Sequence, residues 1–196
     1  MITELSDWFL HNSSIVYDLG TSTGEAIQRI HGRHADKDLR FIAVDISEEM
    51  IEKGKKKLID VPNVQFLASD LNKPFFIENA SLVLSTLTLQ FLKPDSRPRL
   101  LEEIYNGLHK GGALILVEKT LGNTPRFNQM WIELHHDMKL QNNLVEEEIY
   151  AKDRSLRGTL VPYSVGANMK LIRRAGFQEI EVFFKWYNWV GILAVK

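Results

Sequence analysis

Three aspartates are the side chains best placed to do chemistry in this sequence. Asp18, Asp45 and Asp70 each lie at the end of a short, mostly apolar run with β-strand character. An ionised carboxylate accepts hydrogen bonds from hydroxyl, amine and backbone N–H groups. Because the carboxyl ends of parallel strands meet at one edge of a sheet, the three would form one polar ligand site. Asp45 follows a glycine loop by about 20–27 residues, a spacing that suits both ribose hydroxyls; a helix cap or turn is its alternative role.

A glycine loop separates the first apolar run from a helical pattern that begins at Glu25. Glycine tolerates positive φ and lets a ligand approach the backbone closely. The spacing is G-x-x-x-G, not the G-x-G-x-x-G of dinucleotide sites, which favours a nucleoside with an amino-acid tail over a pyrophosphate. Asp18 would order this loop or approach the tail, and a turn without a ligand is the alternative. The loop residues expected to meet the ligand are Gly20, Thr21, Ser22 and Gly24.

Further contacts would come from residues near the aspartates. Asp70 would accept a hydrogen bond from an adenine amine, while the backbone N–H of Leu71 would donate to a ring nitrogen. Met50 would cover one face of the ribose or adenine with its thioether, although core packing is an equal alternative. Thr86 ends a nearly continuous apolar run that begins at Ala80, as expected of a central strand covered on both faces.

The elements that must hold these residues alternate between strand and helix patterns. Such alternation predicts an α/β fold with a doubly wound, mostly parallel sheet of seven strands. After a helix over Ser164–Ala175, two strand patterns between residues 178 and 196 predict an antiparallel hairpin with its bend near Asn188. We expect a single domain, 1–196. Residues 121–163, which we call the insert, have helical patterns and would lie over the site as a lid.

Composition limits the partners and the compartment. A length of 196 residues with a formal net charge of −1 suits one globular domain without a strong field. We therefore expect neither stable nucleic-acid binding nor a membrane partner. The absence of cysteine excludes disulfides, thiolate metal sites and cysteine nucleophiles, and no metal site is predicted from the other residues. The first residues lack the basic and apolar blocks of a signal peptide, which predicts a cytoplasmic protein.

The insert carries the candidate catalytic residues. His135 or His136 would act as a base if an acceptor arrived protonated. Adjacent helical residues point about 100° apart, so the two do not form a zinc-binding pair, and a structural role is the alternative for both. Arg154 would receive an anionic group, with a solvated position as its alternative.

The glycine loop and the strand-end aspartates, in this order and spacing, resemble those of the class I S-adenosyl-L-methionine-dependent methyltransferase superfamily, which implies a Rossmann-like fold. Five strings are similar to the carboxy-S-adenosyl-L-methionine synthase family: Val16–Gly20, Glu78–Ser81, Thr88–Leu92, Ile104–Leu108 and His135–Lys139. The resemblance implies S-adenosyl-L-methionine or its carboxylated form as cofactor, and places these residues around the nucleoside: Gly20 to Ser22, Asp45, Ile46, Asp70, Leu71 and Thr86. It further implies that prephenate is the carboxyl source and that the product serves wobble-uridine modification of tRNA.

The sequence departs from that family where the added carboxyl group would bind. Thr86 stands where the family has Asn, and Asp153 stands where the family has an Arg that clamps the carboxylate. An arginine pairs with a carboxylate through two parallel hydrogen bonds, whereas an aspartate repels it. Arg154 would take over the clamp only if the loop shifted by one residue. The family's N-terminal segment, which contributes an aromatic to the site, is expected to be missing.

We therefore expect an S-adenosyl-L-methionine-dependent transferase, most simply a methyltransferase for a small-molecule acceptor bound beneath the insert. One alternative is a prephenate-dependent carboxy-S-adenosyl-L-methionine synthase that serves tRNA modification. Another is a non-catalytic module that binds S-adenosyl-L-methionine to stabilise a partner. A homodimer contact through exposed aromatics is also expected, at Trp186, Tyr187 and Trp189.

Overall fold

A computed structural model describes residues 1–196. Its strands are β1 (Ile15–Leu19), β2 (Arg40–Asp45), β3 (Val64–Ala68), β4 (Ala80–Thr86), β5 (Leu108–Lys119), β6 (Glu179–Trp186) and β7 (Trp189–Val195). Its helices are α1 (Ile2–Leu5), α2 (Glu25–Arg33), α3 (Glu48–Lys57), α4 (Arg97–Gly107), α5 (Pro125–Gln141), α6 (Glu146–Ser155) and α7 (Val165–Ala175). Short 3-10 turns cover Ser6–Trp8, Leu89–Phe91 and Pro94–Ser96.

The seven strands form one sheet in the order β3-β2-β1-β4-β5-β7-β6. Strand β7 is antiparallel to both β5 and β6, and the other neighbouring strands are parallel. This confirms the doubly wound α/β sheet with a C-terminal antiparallel hairpin. The chain leaves β1 toward β3 and then returns to β4 on the other side of β1. Ligands bind at such a reversal, beyond the carboxyl ends of the strands.

The core lies on both faces of the sheet because the central strands are apolar on both sides. Leu82 and Leu84 of β4 belong to one buried cluster, whereas Val83 belongs to the other. The parallel neighbours β1 and β5 are covered in the same way. This burial fixes the register in which the strands end, and therefore fixes where the polar residues that follow them meet.

Two boundaries differ from the sequence-based expectation. The run His109–Gly112 predicts the end of a helix and a strand from Ala113, but β5 already begins at Leu108, because Leu108 pairs with Ala80 and Gly112 bonds to Lys196. The apolar residues Leu5, Trp8, Phe9 and Leu10 predict a short helix over residues 1–12, but the structure has only α1 and a 3-10 turn there.

The insert contains α5 and α6, which agrees with the helical patterns expected there. Only His135 of α5 and only Ile149 of α6 are buried. Neither these helices nor any other helix of the chain is long and apolar enough to cross a membrane.

Candidate functional site

A cavity of about 430 Å³ opens at the carboxyl edge of the sheet. Five residues expected at the nucleoside line it: Gly20, Asp45, Ile46, Asp70 and Leu71. The other lining residues are Ser69, Asn72, Leu87, Thr88, Phe91, Leu92 and Thr159. Of these, Thr88, Phe91 and Leu92 belong to the segment that the sequence predicts as a loop over the site, and the others were not predicted. The cavity therefore combines the ends of β1, β2 and β3 with the segment that follows β4.

The glycine loop bends as its two glycines require. Gly20 and Gly24 have φ values of 75° and 80°, a region that other residues rarely adopt. The backbone N–H groups of Gly20 and Thr21 both donate to the Val44 carbonyl, at 2.8 and 2.9 Å. A Cβ on Gly20 would overlap the side chain of Thr88. The loop thus packs directly against the segment after β4.

Asp18 bonds to the glycine loop and does not line the cavity. It is buried, and one of its carboxylate oxygens accepts a hydrogen bond of 2.7 Å from the Thr21 hydroxyl. Burial raises the pKa of Asp18 to about 6, against the hydrogen bond from Thr21, which lowers it. Of the two roles expected for Asp18, the geometry favours ordering the loop. Thr21 is also buried, and its hydroxyl is used in the same bond.

Asp45 connects the glycine loop to the start of α3. Its Oδ2 accepts from the Ser22 backbone N–H at 2.8 Å, and its Oδ1 accepts from the Ser47 backbone N–H at 2.9 Å. Ser22, with φ of 50°, also places its hydroxyl 3.8 Å from the Met50 sulfur. Each carboxylate oxygen has two lone pairs, so Asp45 can still accept hydrogen bonds from the cavity that it lines.

Asp70 is held ionised by the residue two positions after it. The backbone and side-chain N–H groups of Asn72 both donate to Asp70 Oδ1 at 2.9 Å, and these bonds lower the pKa of Asp70. Arg99 Nη2 donates to the Leu71 carbonyl at 3.0 Å and fixes the same turn from behind. The turn after β3 is therefore rigid before any ligand binds.

Thr86 does not line the cavity. Its hydroxyl is buried without a hydrogen-bond partner, and so is that of Ser85. Leu87, with φ of 59°, turns the chain so that it and Thr88 face the cavity instead. The register of this turn displaces the expected contact by one or two residues.

The structure does not bring the catalytic candidates of the insert to this cavity. His135 is buried against the edge of Trp189, with ring centroids 5.8 Å apart. Burial lowers the pKa of His135 to about 4, which keeps the ring neutral. His136 lies on the next face of α5, beside Tyr150, at 5.8 Å. Arg154 is exposed on α6, and neither it nor the histidines line the nucleoside cavity.

A second, water-sized cavity of about 40 Å³ lies between α5, α6 and the end of β5. Its charged lining residues are Lys119, Lys139 and Asp153, next to both histidines. Lys139 Nζ lies 3.6 Å from Asp153 Oδ1. Burial lowers the pKa of Lys119, with Lys139 acting in the same direction. The position where the family resemblance places a carboxylate-clamping Arg thus holds a carboxylate paired with a lysine.

The aromatics expected to form a subunit contact are mostly engaged within the chain. Tyr187 stacks on Trp131 at 6.2 Å and on Trp186 at 4.8 Å. Trp189 packs on His135 and is only partly exposed, so of the three only Trp186 has a largely exposed side chain. The expected homodimer stays a prediction that these residues alone do not support.

Metal chemistry has no evident location in this structure. No group of three His, Asp or Glu side chains has the arrangement that a metal ion needs. The cavity at the sheet edge instead offers carboxylate acceptors, backbone N–H groups and apolar side chains, which suit a nucleoside with an adenine and a ribose.

Comparison with known proteins extends these observations. A family model described as a methyltransferase domain matches residues 16–112. The chain is 40% identical over 199 residues to the carboxy-S-adenosyl-L-methionine synthase of Methylococcus capsulatus, covering 100% of this chain and 82% of the relative. It is 35% identical over 192 residues to the synthase of the same name from Staphylococcus epidermidis, covering 98% and 83%.

Solved structures give the fold. Human N-acetylserotonin methyltransferase in complex with S-adenosylmethionine superposes with a TM-score of 0.66 at 18% identity, over 93% of this chain and 47% of that one. An S-adenosylmethionine-dependent methyltransferase from Aquifex aeolicus superposes with a TM-score of 0.66 at 18% identity, over 97% and 86%. Both share the Rossmann-like arrangement described above.

Proposed function

The chain belongs to the carboxy-S-adenosyl-L-methionine synthase family, and we propose that it attaches a carboxyl group to the methyl carbon of S-adenosyl-L-methionine. The methyltransferase domain and the synthase relatives make it an S-adenosyl-L-methionine-dependent transferase. Identity that extends over the whole chain, insert included, is the observation that favours carboxyl transfer over methyl transfer. This function replaces methylation of a small molecule as the leading hypothesis.

The cavity at the sheet edge fits the nucleoside part of this substrate. Asp45 would accept from the ribose hydroxyls with the lone pairs that Ser22 and Ser47 leave free. Asp70, held ionised, would accept from the adenine amine, and Leu71 would contribute its backbone N–H. The methionine tail would lie along the glycine loop, where the Gly20 backbone lines the cavity.

The reaction that the family resemblance implies is balanced without an external oxidant. S-adenosyl-L-methionine supplies a sulfonium methyl group whose C–H bonds are acidified by the positive sulfur. Prephenate gives up carbon dioxide and its ring hydroxide and becomes phenylpyruvate. A methyl proton combines with that hydroxide as water, and the methyl carbon bonds to the carbon of carbon dioxide. The protein must therefore align two substrates and exclude other proton donors.

The second substrate carries two carboxylates, and Lys119 at the end of β5 and Lys139 of α5 are the cations that we propose for it. Lys119 and Lys139 border the water-sized cavity, but Asp153 already lies 3.6 Å from Lys139. A substrate carboxylate would have to displace Asp153 to pair with Lys139. We therefore propose that this chain binds its carboxyl source more weakly than a relative with an Arg at that position would.

That same pairing keeps methyl transfer as the second candidate. With Asp153 beside Lys139, the position where the family has its clamping Arg does not present a cation for a carboxylated sulfonium. Methyl transfer to a neutral acceptor bound under the insert would not require such a cation. A nucleoside-binding module without catalysis is the third candidate, and it would use the same cavity.

Mass spectrometry of purified protein incubated with S-adenosyl-L-methionine and prephenate distinguishes these functions. Formation of carboxy-S-adenosyl-L-methionine and phenylpyruvate is expected. Carboxylated product absent while S-adenosyl-L-homocysteine accumulates with a cell extract would move the conclusion to methyl transfer. Binding without turnover in either assay would favour the non-catalytic module, and failure to bind the nucleoside would overturn all three.

The variant Asp153→Arg sharpens the test. It places a cation next to Lys119 and removes the partner of Lys139, so we expect the KM for prephenate to fall about tenfold, the value of one charge-assisted pair. Glu147→Arg makes the same charge change on an exposed position of the same helix and should leave KM within about twofold. Equal effects of both variants would show that only net charge matters.

A further inference from the structure

The segment that follows β4 forms one wall of the nucleoside cavity. Leu87, Thr88, Phe91 and Leu92 line the cavity, and we call residues 87–92 the pocket wall. Four residues of a short segment at the sheet edge would not hold a ligand in one place by themselves. The side of the wall that faces away from the cavity is fixed by buried polar side chains from other elements.

Glu118, near the end of β5, holds the middle of the wall. Only 2% of its surface is exposed, and its Oε1 accepts from the Leu89 backbone N–H at 3.1 Å. Burial raises the pKa of Glu118 to about 8, against the backbone N–H groups of the wall and the charge of Arg97. A second hydrogen bond joins the wall to β5 in the opposite direction: the Oε1 of Gln90 accepts from the Lys119 backbone N–H at 2.9 Å.

Arg97, the first residue of α4, holds the end of the wall and reaches the insert. It is 1% exposed, and its Nη2 donates to the carbonyls of Gln90 at 3.1 Å, Leu92 at 3.0 Å and Val161 at 2.8 Å. The Tyr163 ring lies over the guanidinium at 4.4 Å. The Val161 N–H donates to the Gln90 carbonyl at 3.0 Å. One guanidinium thus joins the wall to the last residues of the insert.

Neither Glu118 nor Arg97 lines the cavity. Buried charges are expensive, and well-packed apolar residues often replace them without loss of stability. Both of these side chains use their hydrogen bonds on backbone atoms of the wall or of the insert. Thr159 of the insert lines the same cavity two residues before Val161, so a displacement of either segment would alter the site.

We propose that Arg97 and Glu118 are positioning residues that join the pocket wall and residues 159–163 into one unit, so that a nucleoside bound against the wall also fixes the end of the insert. The inference rests on the proposed function only in that the cavity must hold the nucleoside. It assigns a path by which filling the nucleoside cavity orders the end of the insert, the segment whose Lys139 we propose for the second substrate.

Hydrogen exchange measured by mass spectrometry tests the connection, with S-adenosyl-L-homocysteine as the probe. In the unaltered protein, saturating probe should slow exchange in a peptide that contains Val161 by about tenfold or more, because its N–H bonds to the wall. In Arg97→Lys, which keeps the charge but loses the planar fork, this slowing should disappear at saturating probe. Glu102→Gln, on an exposed position of α4, is the matched control and should behave as the unaltered protein.

Affinity gives a second readout that a purely structural role would not change in folded protein. Glu118→Leu should weaken binding of the probe about tenfold, because it removes the acceptor of the Leu89 N–H and leaves that buried group unpaired. The double variant with Arg97→Lys should be less than additive, because both act on the same segment. Thermal unfolding must confirm that each variant is folded at the assay temperature, and Tyr163→Leu replaces Arg97→Lys if the latter does not fold.

The outcomes separate the two proposals. Slowed exchange at Val161 that persists in the Arg97 variant, or unchanged affinity in folded Glu118→Leu, would overturn the positioning role. Probe that binds the unaltered protein without slowing exchange at residues 159–163 would also overturn it. Failure of the unaltered protein to bind the probe would instead overturn the proposed function.

Discussion

The two regions that meet at the ligand site are built in opposite ways. Six of the seven residues of β4 are buried, whereas one of the 17 residues of α5 and one of the 10 residues of α6 are buried. The strand ends cannot shift without disturbing the core on both faces of the sheet. The insert is connected to the cavity mainly through its last residues, at Val161 and Tyr163. Under the proposed function, fixed groups would bind the nucleoside and a loosely held segment would bind the second substrate.

The polar groups of the two regions follow the same division. Asp45 and Asp70 are engaged by backbone N–H groups of adjacent turns, so their geometry is set before binding. In the insert, Lys139 meets Asp153, whereas Arg154 is exposed to solvent. Substitutions at the strand ends should therefore change affinity for the nucleoside, and substitutions in α5 and α6 should not.

The largest effect is expected for Gly20→Ala, which tests whether the strand ends are as fixed as this comparison requires. The residue has positive φ, and a Cβ there would overlap Thr88. Left-handed backbone costs an alanine about 1–2 kcal/mol, and the overlap would push the pocket wall away. We expect affinity for S-adenosyl-L-homocysteine to fall by about a hundredfold or more, measured by calorimetry.

Gly111→Ala is the matched control for that measurement. Gly111 has φ of 81°, but a Cβ there would meet nothing within 4 Å. It should lose stability by a similar backbone cost and keep its affinity. Equal losses of affinity in the two variants would mean that strain alone, and not the contact with the wall, weakens binding.

A smaller effect is expected for Asp45→Asn. The amide has one acceptor oxygen, so it cannot satisfy the Ser22 and Ser47 N–H groups and also accept from a ribose. We expect the dissociation constant for the same probe to rise about 10–100-fold. Asp60→Asn, in an exposed turn, should leave it unchanged. A dissociation constant for Asp45→Asn within about twofold of that of the unaltered protein would show that the ribose lies elsewhere.

The stability of the protein should change with pH in opposite directions through Glu118, behind the pocket wall, and His135, in the insert. Glu118, behind the wall, has its pKa raised from 4.5 to about 8 by burial. The folded state therefore holds a proton that the unfolded state releases, so the contribution of Glu118 is complete below pH 4.5 and is lost as the pH rises toward 8. The free energy of unfolding of the unaltered protein should thus exceed that of Glu118→Gln by a larger amount at pH 5 than at pH 8. The expected difference is a few kcal/mol at most, since one pKa unit corresponds to about 1.4 kcal/mol.

His135, in the insert, should act in the opposite direction and with the smallest effect. Burial lowers its pKa from 6.5 to about 4, so its contribution is present above pH 6.5 and is lost as the pH falls toward 4. His135→Gln should weaken this acid sensitivity in thermal unfolding curves. Its affinity for the nucleoside should stay within about twofold, and a larger loss would restore His135 as a candidate at the cavity.

The sequence predicted the region that its own local patterns determine. The apolar run that ends at Thr86 and the hairpin after Gly176 set the strand order, and the strand-end positions of Asp45 and Asp70 follow from that order alone. Gly20 could be expected at the ligand because a glycine between a strand and a helix marks a close approach. These predictions needed no knowledge of how distant segments pack.

The remainder depended on packing that the sequence does not contain. A loop over the site at Thr88–Leu92 follows from its place after β4. That Thr159 lines the same cavity depends on Arg97, which joins the pocket wall to the insert, and no local pattern reports that contact. Asn72 could have been expected at this turn, since an Asp side chain often accepts a hydrogen bond from the backbone N–H two residues after it. His135 was misplaced because helical periodicity gives the faces of α5 but not which face meets Trp189.

The stack of Trp131, Tyr187 and Trp186 concentrates the tryptophan fluorescence of the molecule in one region. Of its four tryptophans, Trp131, Trp186 and Trp189 lie at the contact between α5 and the terminal hairpin, and the fourth, Trp8, is exposed near the other end of the chain. None lines the nucleoside cavity. We therefore expect intrinsic fluorescence to respond little to the bound nucleoside directly and to report how α5 packs on the terminal hairpin. An emission change on titration with nucleoside would be a spectroscopic record of motion, obtained without a label.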